Sequence, residues 1–171
     1  NFNKPRKVVK GIVGKAWLFD DNIAVLIDHQ GFNDAFQEST FSVWLKESDK
    51  EGILYEEGGG TNGYAVTLVG GKVEFATRDG GNQTTIKANY PLDGKWHTVI
   101  TVFDQGTMQL YIDGVLRKSS PRLPELVVTG TRWVSVKSMV VPLEVLSPSS
   151  WASWTNFVLP EEHSPKKRFR T

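Results

Sequence analysis

Few residues in this chain have the types and spacing for acid–base or metal chemistry. His97 follows Trp96, with no second His or carboxylate at relay or ligand spacing along the sequence, so it reads as a packed, hydrogen-bonded strand residue. Cleaving a glycosidic bond needs two carboxylates flanking it, about 5 Å apart for a retaining reaction. Glu56 and Glu57 are adjacent and would point to opposite faces of a strand, while Glu74 stands alone in its segment. Cysteine is absent, which excludes disulfides and thiolate metal sites. Catalysis is therefore not expected.

The elements that must position these residues are strands. In DGKWHTVITVFDQGTMQLYIDGVL, residues 93 to 116, Trp96, Thr98, Ile100 and Val102 share one face, and His97, Val99, Thr101 and Phe103 the other. Both faces are largely apolar, so both should be covered, and Trp96 is expected to bury its ring between two sheets. A turn at Asp104-Gln105-Gly106 leads into Met108, Leu110 and Ile112, alternating with Gln109, Tyr111 and Asp113. Asp113-Gly114 is a two-residue hairpin signal, with Val115-Leu116 starting the return strand.

Further strands are expected at Lys15 to Phe19, Ile23 to Ile27, Thr40 to Lys46, Gly52 to Glu56, Tyr64 to Val69, Lys72 to Thr77 and Thr84 to Ala88. Their turns, GGGTNG, GG and DGGN, are rich in residues that tolerate positive φ. Short strands at this spacing, with no helical period between them, predict an all-β sandwich or barrel.

Composition bounds the partners. The chain has 171 residues, 39% apolar, with a net charge of +1. That suffices for one domain with a real core, gives no reason to expect nucleic acid, and contains no apolar run long enough to span a bilayer. Asn1 in place of Met, with no leader-like stretch behind it, predicts a piece of a longer protein flanked by neighbouring domains.

GIVGKAWLFDDNIAVLI, FSVWLK, GYAVTL, DGKWHTVITVFD and LYIDGVL, in that order from about Gly11 to Ser119, resemble the laminin G-like, concanavalin A-like jelly-roll family of secreted and surface proteins. The resemblance implies a two-sheet antiparallel sandwich, incomplete here at both ends, and a non-catalytic module that binds glycan or an extracellular protein. A structural spacer with no ligand of its own, or a glycoside hydrolase, are the other roles found on this fold. Hydrolases of the fold alternate their acids on one strand as E-x-D-x-E, and no such strand occurs here. The implied location is extracellular or on the cell surface.

A glycan reader needs exposed aromatics to stack on sugar rings and polar groups to fix hydroxyls. Tyr55, Tyr64, Arg78, Asp79, Asn82 and Gln83 lie on or beside the loops GGGTNG and DGGNQ and are the expected rim ligands. Calcium is the one metal such loops would take, with Asp79, Asn82 and Asp104 as candidate ligands.

Residues 120–171 break the pattern set by 1–119. Only Gly130 of the 16 glycines follows residue 120, whereas six of the eight prolines do, and Trp133, Trp151 and Trp154 follow no strand period. The family would close here with a segment resembling G-x-I-D-E-V-R-I and then A-L-S-x-E-E-I. Trp and Met each have one codon, so a shifted reading frame is testable on paper. Trp133-Val134, Met139-Val140 and Trp151-Ala152 then each encode Gly, and Trp154-Thr155 encodes Asp. The remaining codons permit G-x-L-D-E-F-R-I, three residues, and A-L-S-E-E-x-I. The expectation is that 120–171 is an irregular, out-of-frame tail in place of the closing strands, that the basic end from Lys166 to Arg170 carries no function, and that loss of the closing strands leaves unpaired sheet edges.

Overall fold

Alternating side chains and positive-φ turns shape the chain into strands, seen in a computed structural model that describes residues 7–19, 24–25, 38–46, 51–58, 61–80, 82–121, 134–135 and 140–142. Every regular element among them is a strand: β1 Lys7–Lys10, β2 Lys15–Leu18, β3 Ala24–Val25, β4 Glu38–Lys46, β5 Gly52–Gly58, β6 Gly63–Val69, β7 Lys72–Asp79, β8 Asn82–Asn89, β9 Trp96–Asp104, β10 Thr107–Ile112, β11 Val115–Ser119, β12 Val134–Ser135 and β13 Val140–Pro142. One sheet has the order β1-β2-β13-β4-β9-β10-β11, a second β5-β6-β7-β8, and β12 pairs with β3. The two large sheets are antiparallel throughout and pack as a jelly-roll sandwich.

Alternation decides which side chains fill the space between the sheets. From one sheet come Val43 and Leu45 of β4, Val99 and Phe103 of β9, and Met108, Leu110 and Ile112 of β10. Tyr64, Val66 and Leu68 of β6, Val73 and Phe75 of β7, and Ile86 of β8 meet them from the other. Each large side chain so buried is worth about 2 to 3 kcal/mol of transfer free energy.

The hairpins follow the predicted chemistry. Asp113 and Gly114 have φ of 54° and 74°, and Gln105 and Gly106 have 44° and 88°. Two successive positive angles match the right-handed twist of the strands they join.

Two expectations need correction. β1 was not anticipated; its KVVK sequence is too short for an alternation signal, and it exists by pairing with β2 from Lys7↔Leu18 to Lys10↔Lys15. Within 120–171 the described residues include two short strands, β12 and β13, the latter joined to β2 through three pairs and to β4 through Val140↔Lys46. Trp96 is half-buried and lies outside the core cluster. The core-facing side of β9 is the one that carries His97, Val99, Thr101 and Phe103, because Val99 and Phe103 oppose Ile112 and Met108. The strand expected over Ile23 to Ile27 is described only as Ala24–Val25, and no described helix is long and apolar enough to cross a membrane.

Candidate functional site

The rim expected from the sequence separates into buried and exposed parts. Tyr55 and Tyr64 retain 8% and 1% of their exposure, so neither offers a ring to a ligand. Both point inward because β5 and β6 present these positions to the core. The Tyr64 hydroxyl is hydrogen-bonded to Thr101 Oγ1 across the sandwich, and burial pushes its phenol well above the ordinary value. Tyr55 stacks on Phe41 at 5.1 Å and donates to Glu57 Oε2 at 2.6 Å, so this carboxylate is buried as well.

The polar rim residues do assemble on the β7–β8 hairpin. Arg78 opposes Gln83 and Asp79 opposes Asn82. The Arg78 guanidinium donates to Gln83 Oε1 at 2.7 Å, Gln83 Nε2 to Thr85 Oγ1 at 3.1 Å, and the Gly80 amide to Asn62 Oδ1 at 2.8 Å. These bonds hold the hairpin to itself and to the neighbouring β5–β6 loop.

Asp104 ends β9 in the other sheet, opposite Glu38 of β4. The two turns share one end of the sandwich, since Thr77 Oγ1 donates to Met108 Sδ at 3.5 Å just inside both. Among the described residues no group of three His, Asp or Glu side chains converges to hold a metal ion.

At the opposite end His97 has the carboxylate partners that linear spacing concealed. Its Nδ1 lies 2.7 Å from Asp113 Oδ2 and its Nε2 2.9 Å from Asp93 Oδ1. Asp113 Oδ1 also accepts from the Thr98 amide at 3.0 Å, and the Asp113 amide donates to the Thr98 carbonyl at 3.0 Å. Tyr90 stands edge-on to the imidazole at 5.5 Å, its hydroxyl donating to the Leu45 carbonyl at 2.9 Å. Burial lowers the imidazole's proton affinity, but the hydrogen bonds and charges of Asp93 and Asp113 outweigh it and the net shift is upward. The His97 and Lys95 contacts hold Asp93 far below its ordinary value. This is a structural clasp, joining the segment before β9 to the β10–β11 hairpin.

The surface that sequence reasoning missed is the outward face of the larger sheet. Side chains directly opposed in an antiparallel pair share a face. Pairing Lys46↔Trp96, Trp44↔Thr98, Ser42↔Ile100 and Thr40↔Val102 between β4 and β9, and Ile100↔Tyr111 and Val102↔Gln109 between β9 and β10, therefore puts Trp44, Trp96 and Tyr111 on one side. That side faces away from the core, because Val43, Leu45, Val99 and Ile112 fill the other. Strand spacing and rise set the Cα atoms of Trp44 and Trp96 about 8 Å apart on the diagonal.

All three aromatics are half-buried, and neither indole N–H has a hydrogen-bond partner among the described residues. The Tyr111 hydroxyl donates to Gln109 Oε1 at 3.1 Å, and burial pushes its phenol upward. Ser42, Thr40, Gln109 and Ser119 supply hydroxyl and amide groups along the same face, and Glu38 and Asp104 close its far end. The signal was present in the sequence: in FSVWLK the core takes Phe41, Val43 and Leu45, which sends Trp44 outward.

Comparison with known proteins agrees with this architecture. A human laminin subunit, alpha-3, is 30% identical over 113 residues, covering 66% of this chain, and the match spans 3% of that protein's length. The binding domain of botulinum neurotoxin serotype G superposes with a TM-score of 0.62 at 16% identity, over 82% of this chain and 42% of its own. The carbohydrate binding module CBM66 from Bacillus subtilis gives a TM-score of 0.50 at 16% identity, over 83% and 94% of the two chains. A family model described as the concanavalin A-like lectin/glucanases superfamily matches residues 19–137. With more than half of its length matched and the sandwich in place, this chain belongs to that superfamily, as a laminin G-like jelly-roll domain.

Proposed function

We propose that this domain is a non-catalytic module that binds glycan on the outward face of the larger sheet, in the setting of a larger secreted or surface protein. The observation that carries the reading is the in-register set Trp44, Trp96 and Tyr111, partly exposed beside a run of hydroxyl and amide groups. Sugar rings present apolar C–H faces to aromatic planes and hydroxyls to polar neighbours, which is the pairing of chemistries found on this face. The names of two structural neighbours, a toxin binding domain and a carbohydrate binding module, point the same way.

The polar hairpin of Arg78, Asp79, Asn82 and Gln83 is proposed as a secondary rim contact. Calcium at Asp79, Asn82 or Asp104 is not needed for the sheet-face reading. Tyr55 and Tyr64 have no direct part in it, being buried.

The placement of the acids on this sheet weighs against hydrolysis. The acids on β4, β9, β10 and β11 are Glu38 and Asp104, and both are exposed at the rim, past the aromatic rows. A general acid works from a pocket dry enough to keep it protonated at neutral pH.

The test is a glycan array probed with the intact chain, the double variant Trp44→Ala/Trp96→Ala, and Asn82→Ala/Gln83→Ala. Binding should vanish in the first variant and persist in the second. A folded chain that is silent on the array would instead be a spacer, and persistence of binding without the two indoles would place the site elsewhere.

A further inference from the structure

We propose that the aromatic face prefers a glycan ending in a carboxylated sugar, with Lys46 holding the carboxylate over the Trp44 and Trp96 platform. This rests on the glycan-binding reading above and adds the chemical class of the ligand and its direction.

Lys46 is the direct cross-strand partner of Trp96 and lies two residues from Trp44 on the same face. It is exposed and forms no ion pair among the described residues. The other lysine at this end, Lys95, is engaged with Asp93 at 3.2 Å. An ammonium on the same face as two indoles whose N–H groups are unpaired among the described residues offers a charge, two donors and two apolar planes within one sugar's reach. A carboxylated pyranose presents the complement of all three: an anion, acceptor oxygens and a C–H face.

The far end of the face has the opposite sign. Glu38 and Asp104 oppose each other there, eight residues along β4 from Lys46, which is roughly 27 Å of extended strand. The Lys46 end also carries Asp93 and Asp113, but both are engaged by His97, and Asp93 by Lys95 as well, whereas Glu38 and Asp104 repel an anionic terminus from the far end, so the charge pattern favours one direction for the ligand. Between the ends, Thr40, Ser42 and the Gln109 amide meet neutral hydroxyls, since the Gln109 carbonyl oxygen already accepts from Tyr111.

The experiment is calorimetry of the full chain with lactose, sialyl-lactose and glucuronyl-lactose, at low salt and at high salt. At least one acidic sugar should bind about fivefold tighter than lactose at low salt, as one partly exposed ion pair allows. That preference should shrink at high salt, where the pair is screened. Lys46→Arg should keep the preference and Lys46→Glu should abolish or invert it. The two acidic sugars tell whether the shared carboxylate or a particular ring is read.

Equal affinity for all three, or a preference that survives Lys46→Glu, overturns the inference while leaving the aromatic site intact if Trp44→Ala still abolishes lactose binding. Absence of binding to any of the three by a chain with normal thermal unfolding overturns the inference and the glycan reading with it.

Discussion

His97 and Asp113, sixteen residues apart in sequence, are joined at 2.7 Å between Nδ1 and Oδ2, and Asp93 meets the other nitrogen of the same ring at 2.9 Å from Nε2. A neutral imidazole carries one N–H, so it satisfies one of these carboxylates and turns a lone pair toward the other. The imidazolium satisfies both, which is the physical reason for the raised proton affinity of His97.

Stability should follow that chemistry. The raised His97 group contributes fully below its ordinary value of 6.5, and the contribution is lost as pH rises through the higher folded-state value. Asp93 is lowered, so its contribution is present above its ordinary 3.8 and is lost only as pH falls through the lower folded-state value. The clasp is therefore strongest between about pH 4 and 6.5. Denaturant unfolding from pH 4 to 9 should show stability declining on the alkaline side. In His97→Gln that decline should be absent, with a loss of about 1 kcal/mol at pH 5.5. An unchanged pH profile in the variant refutes the assignment.

Binding and folding should separate between the outward face of the larger sheet and the core between the sheets. Trp96→Ala removes a partly exposed ring and should lose glycan binding with a modest stability cost. Phe75→Ala, whose ring is fully buried in the core, should cost about 3 to 5 kcal/mol. Paired thermal unfolding and calorimetry on the two variants gives the comparison.

Tyr64 should behave as a core residue. Tyr64→Phe leaves the buried Thr101 hydroxyl without its partner across the sheets, at a cost of about 1 to 3 kcal/mol. Glycan affinity should not change. A loss of affinity with unchanged stability would return Tyr64 to the binding surface.

Two glycines test the turns. Gly58 has φ +94°, and a Cβ there would meet the Asn62 carbonyl oxygen at 2.5 Å and the Gly63 Cα at 2.7 Å, both backbone atoms. Gly80 has φ +56° with nothing within 4 Å of a Cβ. Gly80→Ala should cost about 1 kcal/mol, the left-handed penalty alone, whereas Gly58→Ala should cost clearly more, as chemical denaturation can measure.

Residues 120–171 are proposed to be an out-of-frame reading of the closing strands. Sequencing the coding DNA should reveal, in the shifted frame, Gly at the Trp133-Val134, Met139-Val140 and Trp151-Ala152 junctions followed by Asp-Glu and Ala-Leu. Stop codons in that frame would make the tail genuine sequence, with β12 and β13 its own strands.

From residue order alone came the all-β class, the hairpin at Asp113-Gly114 and most strand positions, because alternation and turn chemistry are local and each strand carries its own, while the choice of a two-sheet sandwich over a barrel rested on the family resemblance. The structural role of His97 was legible for the same reason. Its partners were not, since Asp113 reaches it only after β10 folds back on β9. Alternation states that Trp96 and His97 face opposite ways but not which way is inward. That choice is made when Val99 and Phe103 meet the second sheet, and it turns Trp96, Trp44 and Tyr111 outward into one surface while drawing Tyr55 and Tyr64 into the core. Sidedness and cross-strand neighbours belong to the packed sandwich, where burying the larger apolar set decides which face water keeps.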